Sequence, residues 1–230
     1  MSAETSGRRS LAGRLVSLLA PLALLPSVTP AAEPIAVVET LPVAPQAWTG
    51  AQMPTHELNL HLFAFAGTRW RSADITQAVE GALPLLAQCG VAWAGAQLAI
   101  IKAPRELHFY STPAARRLLR AIDAARPAVF FVEDTRSEPA FDAETIGRGN
   151  SASRPELADT IWVAYGARDT PLALAHELVH LLSDSGEHSA EPGNLMLPET
   201  SPAHTHLTAA QCERLRTRGT ANGLLQRRAN

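Results

Sequence analysis

Two cysteines in 230 residues, no surplus of positive charge and no internal repeat set the first limits on this sequence. Two cysteines cannot build a cysteine-rich zinc module, and Cys89 and Cys212 lack the spacing of a metal site. The formal charge of −2 gives no electrostatic case for nucleic acid or for an anionic membrane. Arg214, Arg216, Arg218, Arg227 and Arg228 do make the C-terminal end basic, and they read as a solvated helix face and tail. Without repeats, a chain of this length is expected to fold as one domain with a sizeable core.

The N-terminal residues read as an address. Arg8, Arg9 and Arg14 precede an apolar run from Leu15 to Val28, and Thr29-Pro30-Ala31-Ala32 forms a small-residue exit. The run is short and broken by Pro21 and Pro26, which argues against a membrane span. Residues 1–31 are therefore expected to be a signal peptide and the mature protein to be secreted or periplasmic, an uncleaved anchor being the other reading. Arg8-Arg9-Ser10-Leu11 faintly resembles a twin-arginine signal. No cysteine follows the exit, so there is no basis for a lipid anchor. Removal takes away three arginines and Glu4, which moves the formal charge to −4. In an exported protein two cysteines read as one bridge, and a Cys89–Cys212 disulfide is predicted.

What chemistry the chain carries is concentrated between Pro171 and Met196. Thr170-Pro171 is a favourable helix start, a capping side chain followed by proline in the first turn. From Leu172 to Leu182 every residue is Ala, Val or Leu except His176, Glu177 and His180. A helix apolar nearly all round is buried, and its polar exceptions need partners. The spacing His-Glu-x-x-His sets two imidazoles one turn apart on the same face, where both reach one zinc ion. Glu177 sits beside the metal's open position. His188 follows in a turn, and then Asn194-Leu195-Met196.

Elsewhere the chain alternates between strand and helix signals. Residues 32–56, with Pro34, Pro42, Pro45 and Pro54, read as a proline-rich extended lead-in. A first strand is expected over Glu57 to Phe65. Its His61 lies five residues from His56, on the opposite face, so the two make no shared site. A helix capped by Asp74 runs toward Gly90 with Pro84 kinking or splitting it. Val91 to Ile101 is a strand broken near Gly95. A helix from Thr112-Pro113 to about Ala125 leads to a short apolar strand at Ala128 to Val132. An edge strand is expected at Ala143 to Gly147, and another strand at Thr160 to Tyr165. Near the end, Thr208 and Gln211 form a capping box, with Leu207 and Cys212 as a hydrophobic staple. The order predicts an α+β domain, α/β-like, with a mixed twisted sheet backing the His176 helix. The single domain is expected over 57–220, followed by a flexible basic tail at 221–230.

These residues resemble the metzincin group of zinc metallopeptidases, whose pattern is His-Glu-x-x-His-x-x-Gly-x-x-His followed by a methionine turn. His176, Glu177 and His180 match its first three fixed positions. The resemblance implies His188 as the third ligand, Met196 as the turn methionine beneath the metal, and a C-terminal helix after it. Two departures stand out. Ser183 occupies the glycine position, and seven residues rather than five separate His180 from His188. Gly186 is the expected site of the later chain reversal. Asp184 is a rival third ligand, with Glu187 and Glu191 as further carboxylates to consider. His204 and His206 read as surface residues.

A single zinc ion on three neutral imidazoles leaves a fourth position for water, whose pKa can fall to about 7. Glu177 then takes the water's proton and passes it to the leaving amine, which is metal-assisted amide hydrolysis. By resemblance, an extended peptide or protein substrate would pair with the backbone near Ala143 to Gly149. No tyrosine follows the methionine turn to act as a further oxyanion donor. Two other functions fit the same residues: a non-catalytic envelope protein that keeps the fold, and a zinc hydrolase of a non-protein amide such as cell wall. Nothing in the sequence speaks to oligomeric state.

Overall fold

The computed structural model describes residues 33–45, 47–48, 50–135, 145–148, 155–167 and 169–228. The signal peptide expected at 1–31 lies outside them. In order the elements are β1 (Ala36–Val43), β2 (His56–Phe65), α1 (Ser72–Ala87), β3 (Val91–Lys102), β4 (Phe109–Tyr110), α2 (Thr112–Ala121), β5 (Ala128–Val132), β6 (Asp134–Thr135), β7 (Thr145–Arg148), β8 (Thr160–Ala164), α3 (Thr170–Ser183), α4 (Ala209–Ala221) and β9 (Leu225–Arg227). Strands run β1-β3-β2-β5-β8-β7 across the main sheet, with β9 added beside β2. The four central strands are parallel, while β1, β7 and β9 pair antiparallel. The result is the mixed, twisted α/β sheet that the element order predicted.

The composition of the central strands explains their place. All five residues of both β5 (AVFFV) and β8 (TIWVA) are buried, as parallel strands covered on both faces require. Alternate residues of β2 divide between two cores. Leu58, Leu60, Leu62 and Ala64 join Leu174, Leu178 and Leu182 of α3, with α1 and α4 on the same side. Phe63 and Phe65 face the other way, where Phe63, Phe130 and Trp162 stack with ring centroids 4.8 and 4.2 Å apart. The break expected near Gly95 is a β-bulge within one strand. Leu58 and Leu60 pair with Trp93 and Ala96, so two residues of β3 face one of β2. Gly95 absorbs it at φ +107°.

Several boundaries differ from expectation. Part of the proline-rich lead-in forms β1, an edge strand with only Val43 buried, so it offers no apolar alternation to read. Residues 225–227, expected in a flexible tail, instead pair with the first half of β2. The Arg228 guanidinium also bonds Glu57 at 3.0 Å, which ties down the end of that strand. Helix α1 begins earlier and stays one helix with Pro84 inside. Asp74 is not its cap but pairs with Arg71. Helix α2 starts at Thr112 as expected but ends at Ala121 rather than near Ala125, and Ser111 caps it, accepting from Ala114 N–H. Thr170 does not cap α3 either: its hydroxyl donates back to the Ala167 carbonyl, and Asp169 holds the N-cap position in the left-handed region.

Cys89 and Cys212 form the predicted disulfide, joining the end of α1 to α4 across 123 residues of chain. Both are buried. Closing so long a loop restricts the unfolded chain, a contribution of about 2–5 kcal/mol for a native bridge. The Cys89→Ala/Cys212→Ala variant should lose that much in urea unfolding. An unchanged midpoint would show that the bridge adds nothing.

Candidate metal centre

Helix α3 is held from three sides. The sheet and α4 pack along it, and Gly81 of α1 lies so near Pro171 that an added Cβ would stand 2.7 Å from the proline ring. Leu174, Leu178, Leu181 and Leu182 face the core, which fixes the helix's rotation. His176 is thereby buried and His180 half-buried, on the side where the chain returns after the helix.

The return begins at Asp184. Helical structure continues through Ser183, whose hydroxyl donates to the Val179 carbonyl, and Asp184 takes the left-handed turn at φ 48°, ψ 48°. Gly186, the expected reversal point, has no positive φ. Aspartate is among the few residues that enter this region at modest cost. The extra residues relative to the metzincin pattern thus lie in the loop after the helix.

That loop carries His188 back over the helix. Nε2 of His180 lies 3.0 Å from Nε2 of His176 and 3.3 Å from Nε2 of His188. The three candidate ligand atoms fall within 4.8 Å of one another, and among the described residues this is the one such group. His56 and His61 are not in it. Neither are Asp184, Glu187 and Glu191: Asp184 closes the helix, and Glu187 pairs with Arg214 of α4 at 2.6 Å. Glu177 is half-buried on α3, one residue past His176. A pocket of about 250 Å³, lined in part by Val179, His188, Met196 and Gln211, opens beside the cluster.

Hydrogen bonding determines which ring nitrogens carry protons. Nδ1 of His176 lies 2.8 Å from the Leu195 carbonyl, and Nδ1 of His180 lies 2.7 Å from the Ser185 carbonyl. A carbonyl only accepts, so each Nδ1 is a donor and each Nε2 of a neutral ring bears a lone pair. Two lone pairs 3.0 Å apart repel unless an electrophile lies between them. A proton is a poor candidate. Burial pushes the His176 imidazolium down to about 4 despite the Leu195 carbonyl, and burial lowers His180 as well. A metal cation suits the arrangement. Tetrahedral ligands at about 2.0–2.1 Å from zinc stand about 3.3–3.4 Å from one another, close to the 3.0 and 3.3 Å that separate His180 from the other two rings. The residues therefore fit a metal, and a backbone carbonyl on Nδ1 is the kind of outer partner that orients a ligating histidine.

Met196 is buried in a turn and lines the same pocket as His188. Its N–H donates to Oδ1 of Asn194 at 2.9 Å, and its carbonyl accepts from Ser189 N–H at 2.7 Å, next to His188. The three histidines singled out in the sequence are the ones the structure brings together. Sequence reasoning missed Leu195 and Ser185, which act through backbone carbonyls and carry no side-chain signature.

No protein-family model matches the sequence, and the comparison with curated proteins gives no match. Among solved structures the chain is similar to metalloproteinase-II from Bacteroides fragilis, with a TM-score of 0.47 and 22% identity. The similarity covers 78% of this chain and 57% of that one, so this chain spans little more than half of that protein's length.

Proposed function

We propose that this chain is an exported zinc-dependent endopeptidase of metzincin-like design, with His176, His180 and His188 holding one zinc ion. The observation that carries this reading is the convergence of three Nε2 atoms, two of them stripped of protons by Nδ1–H bonds to carbonyls. A buried structural zinc would need no carboxylate alongside, and Glu177 supplies one. The disulfide supports export. We assign residues 1–31 to the signal peptide.

Zinc, when bound, supplies Lewis acidity that polarises the scissile carbonyl and brings the pKa of water down to about 7. Glu177 is the general base and acid: it takes a proton from the attacking water and returns it to the departing amine. The Leu195 and Ser185 carbonyls hold the His176 and His180 rings in the tautomer that presents lone pairs. Along β7, at the end of the strand order and packed near α3, an extended peptide can add its backbone to the sheet. Such pairing gives affinity with little sequence preference.

The test is metal content of the purified mature protein together with hydrolysis of casein and of purified peptidoglycan. About one zinc per chain and chelator-sensitive casein cleavage are expected. Cleavage of peptidoglycan alone would move the assignment to a cell-wall amidase, and metal-free protein inert toward both would overturn it.

A further inference from the structure

The capping box that starts α4 does a second job. Oε1 of Gln211 accepts from the Thr208 N–H at 2.8 Å, and Gln211 N–H donates to the Thr208 hydroxyl at 3.2 Å. The same Gln211 amide also pairs reciprocally with Asn194. Asn194 Nδ2 donates to Gln211 Oε1 at 3.0 Å, and Gln211 Nε2 donates to Asn194 Oδ1 at 3.1 Å. Asn194 is fully buried, and its Oδ1 also accepts the Met196 N–H.

Backbone donors dictate this arrangement. Met196 N–H can only donate, so the Asn194 atom facing it is oxygen. Thr208 N–H can only donate, so the Gln211 atom facing it is oxygen. With both amides oriented, the pair has one way to mate. Between Asn194 and Met196 sits Leu195, whose carbonyl accepts from His176 Nδ1. Leu195 N–H is itself held by the His206 carbonyl at 2.7 Å. The neighbouring residue on α4, Cys212, is bridged to Cys89, which ties the first turn of the helix to the end of α1.

We propose that Gln211 is a positioning residue for the metal centre, holding the 194–196 turn through Asn194 so that the Leu195 carbonyl stays aligned with His176. This rests on the metal-site reading above. Gln211→Glu isolates the effect. A carboxylate still accepts from Thr208 N–H and from Asn194 Nδ2, so the cap survives. It cannot donate to Asn194 Oδ1, so the pair keeps one bond and sets two oxygens against each other.

Zinc affinity by chelator competition, and the visible spectrum of the cobalt-substituted protein, are the readouts. Gln211→Glu should bind zinc about 10-fold more weakly and alter the cobalt bands, within the range typical of outer-shell changes. Thr208→Ala, which weakens the cap alone, should stay within about two-fold of wild type. Asn194→Asp breaks the same pair from its other side and remains available should Gln211→Glu fold poorly. Combined, the two changes leave facing carboxylates with no donor between them and should cost more than either alone. Unchanged affinity and spectrum in Gln211→Glu, or an equal loss in Thr208→Ala, would overturn the role of Gln211 while leaving the metal site standing. Wild-type protein whose zinc binding is indifferent to His176→Ala would instead remove the metal site itself.

Discussion

Glu177→Gln is expected to keep its zinc and lose peptide hydrolysis by about 10²–10⁴-fold, the usual worth of a positioned proton-transfer group. The amide preserves size and helix propensity but cannot accept a proton from water. Glu177 lies on α3 among residues that pack tightly, yet it is itself only half-buried, so the change should cost little stability. Metal content by atomic absorption and kcat/KM on a casein-derived peptide are the two measurements. Zinc retained with activity lost supports the base. Full activity in the variant would remove Glu177 from the mechanism, and loss of zinc would recast it as a ligand.

The second large effect belongs to the third ligand. His188→Ala should weaken zinc binding by more than the roughly 10–100-fold typical of an outer partner, because it removes a direct donor from a set of three. Asp184→Gly should leave affinity unchanged. It should also be neutral to about 1 kcal/mol stabilising, since glycine takes the left-handed turn freely and a negative charge leaves the helix C-terminus. The two variants measured together separate the rival ligands. Zinc lost from Asp184→Gly and kept by His188→Ala would reverse the assignment.

The active helix was legible because its composition is extreme: eleven residues from Leu172 to Leu182, all aliphatic apart from three. Burial then follows from pattern alone, and so does the question of what the three polar groups meet. The fully buried strands β5 and β8 were legible for a similar reason. Strand β1 was not, because only one of its eight residues is buried and its order comes from backbone pairing with β3. Three residues of β9 are too few to show any period. The reversal at Asp184 was hidden by a stronger local signal two residues on, since Gly186 looks like the natural turn. Gln211 was readable as a cap, but its pairing with Asn194 depends on two segments meeting in space.

Strand β9 has a consequence for how the chain is made. His56, Glu57 and Leu58 of β2 pair with β3 on one side and gain their second neighbour only when residues 225–227 arrive, and the sulfur bridge likewise waits for residue 212. A polypeptide emerging N-terminus first from a ribosome therefore cannot complete this sheet until residue 227 has followed.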